Sequence, residues 1–149
     1  MAPPEEPLAA LAAALAREAE RDPSRECCGL VIADPTGGLR HQPVANVAAS
    51  PASAFELCPA ALLSTLRRLD GGGERLVAVY HSHLFGGPGL SRRDLEAALV
   101  DGWPLLAGVE QVVIALQGGR AVEVRAHAWD GSAYAGRTVW RNLPEMGPL

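Results

Sequence analysis

His81 and His83 are separated by one residue, and Ser91-Arg92-Arg93-Asp94 follows seven residues after the second histidine. Side chains alternate along an extended chain, so histidines at this spacing face one side and both can reach a single ion. A catalytic zinc site takes three protein ligands and keeps its fourth position open, and Asp94 can supply the carboxylate that completes such a set. Ser91 and Asp94 also read as S-x-x-D, close to the capping box that opens a helix, which puts Asp94 in a first helical turn. The two roles are compatible, because the glycine-rich residues 84–90 can fold that turn back toward the histidines. Taken singly, the serine and aspartate are an ordinary cap and each histidine an ordinary strand-end residue. Four residue types at fixed spacing recur by chance in roughly one such chain in several thousand.

Hydrolysis at a zinc centre needs a base that is not itself a ligand, to take a proton from water and hand it to the leaving amine. Glu26 fits that role, since it precedes a short apolar strand that a neighbouring strand could align across the metal. Glu56 alternates with Phe55 and Leu57 and reads as solvent-facing. Ser91, fixed by the helix start, can donate a hydrogen bond to the oxyanion of an attacked carbonyl. Cys27 and Cys28 are adjacent, so on a strand they point to opposite faces and read as core and near-site packing rather than as zinc ligands. His41 and His127 lie on predicted strands without matching neighbours and read as structural.

These residues must be positioned by regular elements. Leu8, Leu11, Leu15 and Ala19 recur at helical spacing, predicting an amphipathic first helix over residues 8–20 that ends at Asp22-Pro23. Residues 28–33 and 39–44 flank Pro35-Thr36-Gly37-Gly38 and predict a hairpin, and residues 53–57 predict another short strand. Pro59 opens a second helix whose stripe is Leu62, Leu63, Leu66 and Leu69, stopped by Gly71-Gly72-Gly73. Residues 76–80 form a β-prone run buried on both faces that delivers the chain to His81 where the strand emerges. A third helix is predicted from Ser91 to Asp101-Gly102, followed by a loop around Trp103-Pro104 and three strands over residues 111–116, 121–129 and 133–140. The pattern predicts a mixed α/β (α+β) class, a central mixed β-sheet flanked by helices, in one domain with its core at about residues 6–140 and a loose tail over 141–149.

Composition narrows the function classes. The 149 residues are 48% hydrophobic and 20% charged with a net charge of −4, ordinary for a soluble domain of this size. All 13 basic residues are arginine and they are scattered, which predicts neither a nucleic-acid surface nor a polybasic membrane anchor. The acidic N-terminus is unlike an export signal, and three cysteines, two of them adjacent, are unlike a disulfide framework, so a cytoplasmic setting is expected.

With Glu26-Cys27-Cys28-Gly29-Leu30, His81-Ser82-His83, Ser91 and Asp94, and with residues 46–57 (NVAASPASAFEL), the sequence resembles small bacterial members of the JAMM (MPN-plus) metalloprotease family over roughly residues 6–140. The resemblance implies a cytidine-deaminase-like fold, one zinc ion per chain on His81, His83 and Asp94, Glu26 as general base and Ser91 as the oxyanion-stabilising serine. It further implies a peptidase or isopeptidase cutting after the C-terminal Gly-Gly of a ubiquitin-like or sulfur-carrier protein, a tail thin enough for a narrow groove and suited to strand-like pairing. Two other readings are release of an amino acid such as cysteine from a sulfur-carrier protein, and a non-catalytic scaffold, the latter disfavoured because the ligands are kept. The sequence departs from the family at Leu84, where proline is usual, and this predicts a more mobile rim over residues 84–90.

Overall fold

The computed structural model describes residues 6–142. Helix α1 (Ala9–Arg21) buries Ala12, Leu15, Ala16 and Ala19 along one stripe and gives way at Asp22. Strand β1 (Cys28–Ala33) is buried at every position, and β2 (Leu39–Val44) pairs with it as the predicted hairpin. Helix α2 (Pro59–Asp70) opens on its proline, whose missing N–H costs nothing in a first turn. Strand β3 (Arg75–His83) is followed by α3 (Arg92–Ala98) and a small ladder of β4 (Leu99–Val100) with β5 (Trp103–Pro104). Strands β6 (Glu110–Gln117), β7 (Arg120–Trp129) and β8 (Tyr134–Arg141) follow, the last elements among the described residues.

The six-stranded sheet has the order β2-β1-β3-β6-β7-β8. Only β3 and β6 run parallel, so the return between them must cross over, and α3 with the β4–β5 ladder fills that crossover. Open sheets bind ligands beyond the carboxyl ends of their strands, and that is where β3 delivers its histidines. Helix α1 covers one face of the sheet, over Val31, Ala78, Tyr80, Val112, Ile114 and Val124. Helix α2 covers the other, packing Leu62 and Leu69 over Leu30, Ile32 and Val79. On the α1 side, Gly29 lies opposite Tyr80 in the register, and a Cβ at Gly29 would collide with the Gln42 carbonyl and the Tyr80 ring. The absent side chain lets the Tyr80 ring cross β1, so that its hydroxyl donates to the Glu18 carboxylate of α1 at 2.8 Å.

Several features differ from those the pattern predicts. The strand expected over residues 53–57 shrinks to a single bridge, Asn46 with Leu57, because that segment spends its backbone groups inside a folded loop. Helix α3 stops at Ala98 rather than reaching Gly102: Asp101 and Gly102 both have positive φ, 52° and 80°, and turn the chain into the β4–β5 hairpin. On α2 the inward row is Leu62, Thr65 and Leu69, while Leu63 is half-exposed; Thr65 is accommodated because Gln42 donates to its hydroxyl. Strand β3 does not end before the histidines but carries both, paired through His81 to β1 and through His83 to β6. Strand β8 runs on to Arg141, and the remainder of the expected tail, residues 143–149, lies outside the described residues.

Candidate metal centre

Because His81 and His83 are both within β3, the pleat turns their imidazoles to one side and Ser82 to the other. Ser91 caps α3 in a complete capping box: its hydroxyl accepts from the Asp94 N–H at 3.0 Å, and its own N–H donates to Asp94 Oδ2 at 2.8 Å. The box holds the carboxylate over the sheet, where Asp94 Oδ2 lies 3.2 Å from His81 Nε2 and 3.0 Å from His83 Nε2. The two Nε2 atoms are themselves 3.0 Å apart. Three donor atoms about 2.0–2.1 Å from one tetrahedral ion stand about 3.3 Å from one another. The triangle of 3.0, 3.0 and 3.2 Å therefore fits one small ion with only slight opening, and the three residues form a group able to hold a metal.

The proton inventory agrees. His83 Nδ1 lies 2.9 Å from the carbonyl of Gly87, so it carries the proton and leaves the Nε2 lone pair facing the triangle, the usual arrangement behind a metal-binding imidazole. The glycines after His83 serve this contact, since Gly86 and Gly87 have φ of 91° and 80° and turn the chain back on itself. Burial holds the fully enclosed His81 imidazole below its ordinary pKa despite the neighbouring Asp94, favouring the neutral ligand form. Burial would raise the Asp94 carboxyl, but His81, His83 and the Ser91 N–H outweigh it and hold the group well below the usual carboxylate range. His81 Nδ1 is buried without a hydrogen-bond partner among the described residues; its ring instead stacks on Phe55, centroids 4.0 Å apart and planes 17° from parallel.

Glu26 stands across the site because the β1–β3 register, Cys28 opposite His81, continues for two more residues and sets Glu26 beside His83. That extension is stitched by Ser82, whose hydroxyl accepts from the Cys27 N–H at 2.8 Å and whose N–H donates to the Cys27 carbonyl at 3.0 Å. Glu26, His83, Ser91 and Asp94 line one cavity of about 290 Å³. Glu26 is 5% exposed, and burial pushes its carboxyl up to about 7, only partly opposed by His83. A carboxyl poised there exchanges a proton readily near neutral pH.

The structure thus brings together all five residues singled out by type and spacing: His81, His83 and Asp94 at the triangle, with Glu26 and Ser91 on the same cavity. Glu56 is exposed, as expected of a solvent-facing residue. Cys27 packs toward α1 while Cys28 is buried against the Val44 carbonyl, and the His127 imidazole is engaged by the Gln111 carbonyl. Type and spacing did not disclose Ser82, Phe55 or the Gly87 carbonyl. The pleat alone marks Ser82 as facing away from its neighbours, but its tie to Cys27 depends on strand order, which no local pattern carries.

A mixed sheet offering two imidazoles from one strand and a carboxylate from the next helix defines an α/β domain whose pocket carries a residue group able to hold a metal. Residues 8–130 match the prokaryotic homologues of the JAB domain. A desampylase of Haloferax volcanii is 36% identical over 123 residues, covering 80% of this chain and 81% of the relative. The chain belongs to the prokaryotic JAB family. Its fold is similar to the solution structures of a Desulfitobacterium hafniense protein (TM-score 0.65, 18% identity, 85% of this chain and 84% of that one) and a Salinibacter ruber protein (TM-score 0.54, 22% identity, 90% and 88%).

Proposed function

We propose that this protein is a zinc-dependent peptidase or isopeptidase that hydrolyses the bond after the C-terminal Gly-Gly of a ubiquitin-like or sulfur-carrier protein. The observation that carries the reading is the triangle of His81 Nε2, His83 Nε2 and Asp94 Oδ2 with Glu26 on the same cavity. His81, His83 and Asp94 would hold one zinc ion, which supplies a Lewis acid that polarises a carbonyl and acidifies water. Glu26 accepts the proton of the attacking water and returns it to the leaving amine, a role its buried place on the same cavity as the triangle allows. Ser91 has its hydroxyl oxygen engaged by the Asp94 N–H, which leaves its proton free to donate to the oxyanion. Kinship with a desampylase, a name that denotes removal of a conjugated modifier, supports deconjugation as the reaction and a ubiquitin-like protein as the partner. The free thiols Cys27, Cys28 and Cys58 are in keeping with the reducing cytoplasm, where we place the reaction.

The test is cleavage of a carrier protein joined through Gly-Gly to a second protein, with the zinc-loaded wild type, Glu26→Ala and His81→Ala. Release of the carrier ending in Gly-Gly is expected from the wild type, with a loss of at least about 10²-fold in either variant. Full activity in Glu26→Ala would remove the assigned base, and intact fusion in every reaction would remove the substrate class.

A further inference from the structure

Residues 45–58 connect β2 to α2 and contribute no proposed ligand or base, yet they grip both halves of the site. We propose that Asn46 is a positioning residue: its side-chain amide locks the backbone of Glu26 and of Phe55 into one unit, and Phe55 in turn sets the ring of His81.

The Asn46 amide has two donor and two acceptor positions, and all four are used. Its Nδ2 donates to the Glu26 carbonyl at 2.9 Å and the Ala54 carbonyl at 3.0 Å. Its Oδ1 accepts from the Ala48 N–H at 3.0 Å and the Glu56 N–H at 3.1 Å. Two carbonyls on one side and two N–H groups on the other allow only this orientation of the amide. Ala54 C=O and Glu56 N–H belong to the peptide groups on either side of Phe55, so one side chain fixes both backbone torsions there. Glu26 is held in the same manner, its carbonyl by Asn46 and its N–H by the Pro51 carbonyl at 2.7 Å. The loop therefore clamps the proposed base from both sides and aims the Phe55 ring from the same anchor.

The Phe55 ring has a defined task. A metal-binding imidazole ordinarily donates its remote N–H to an acceptor that fixes its rotation, as His83 does to Gly87. His81 Nδ1 has no such partner among the described residues, and the face-to-face stack on Phe55 takes its place. Rotation of His81 would carry Nε2 out of the triangle, so the stack governs metal affinity without touching the metal.

This inference assigns positioning within the function proposed above, and its test separates the two. Zinc affinity is measured by competition with a chromophoric chelator, alongside the melting temperature of each variant. Asn46→Asp keeps the acceptor half of the amide and turns an oxygen toward two carbonyls; a tenfold or greater loss of zinc affinity is expected in the folded protein. Phe55→Leu loses a similar factor, Phe55→Tyr restores most of it, and the Asn46→Asp/Phe55→Leu double variant loses little more than either alone, because the two act in series. With the Gly-Gly fusion as substrate, Asn46→Asp lowers kcat at least tenfold and leaves KM within about twofold. Wild-type affinity and kcat in folded Asn46→Asp overturn the proposal, as does full additivity of the two substitutions. Should Asn46→Asp not fold, amide exchange in the wild type decides: slow exchange at Ala48 and Glu56 is expected, and exchange at unfolded-chain rates overturns it. A wild type that binds zinc but cleaves no fusion defeats the assigned reaction and leaves the affinity and exchange results to judge the brace.

Discussion

At the scale of single residues, Glu26 carries the most chemical information, because a 5% exposed carboxyl pushed up to about 7 is an arrangement stability alone does not favour. Burial disfavours its charged form, so the folded, metal-free protein binds that proton more tightly than the unfolded chain, whose value is near 4.5. The stability linked to this group is fully present below pH 4.5 and is lost as pH rises through 7. Glu26→Gln removes the titration, so in chelator-treated protein it should be more stable than wild type by about 2 kcal/mol at pH 8, with the difference closing toward pH 4.5. Denaturant midpoints across that range check this, and parallel curves for the two proteins would contradict it. Glycine 29 is the opposite kind of residue, one whose missing side chain matters. Gly29→Ala drives a methyl into the Gln42 carbonyl and the Tyr80 ring and should cost about 2 kcal/mol or more by chemical denaturation.

At the scale of elements, the site depends on one capped helix start and one glycine turn. Ser91→Ala removes the acceptor for the Asp94 N–H and should cost about 1 kcal/mol while loosening the carboxylate, so zinc affinity falls together with stability. Thermal melts with and without zinc separate the two losses. Residues 84–90 carry Leu84 in place of a φ-fixing proline and are tied to His83 through Gly87 alone among the described hydrogen bonds; their amides should exchange faster than those of β3. Much at this scale was legible in advance. The α1 stripe, the β1–β2 hairpin, the proline-opened α2 and the last three strands follow from periodicity and turn chemistry. The misread boundaries have local causes. Asp101-Gly102 is a hairpin signal that an apolar helical pattern masks, and the chain through Phe55 looks like a strand although beyond one bridge to Leu57 it is the Asn46 amide that takes up the Ala54 carbonyl and the Glu56 N–H.

At the scale of the whole molecule, the grouping of His81, His83 and Asp94 was readable because they and the capping Ser91 are close in the chain, while the position of Glu26 rests on the pairing of β1 with β3 across more than fifty residues. The sheet order makes that pairing, and the two helical layers hold it by covering both faces of β1 and β3. A metal that binds only the folded chain should stabilise all of it, by about 4 kcal/mol when free zinc is a thousandfold above its dissociation constant. The central claim, that His81, His83 and Asp94 form the metal centre, is tested most directly by native mass spectrometry of the zinc-loaded protein beside a folded His81→Ala/His83→Ala variant. One zinc ion per chain in the wild type and none in the variant is the predicted result; zinc retained by the variant at wild-type affinity, or a wild type that takes up none, would contradict it.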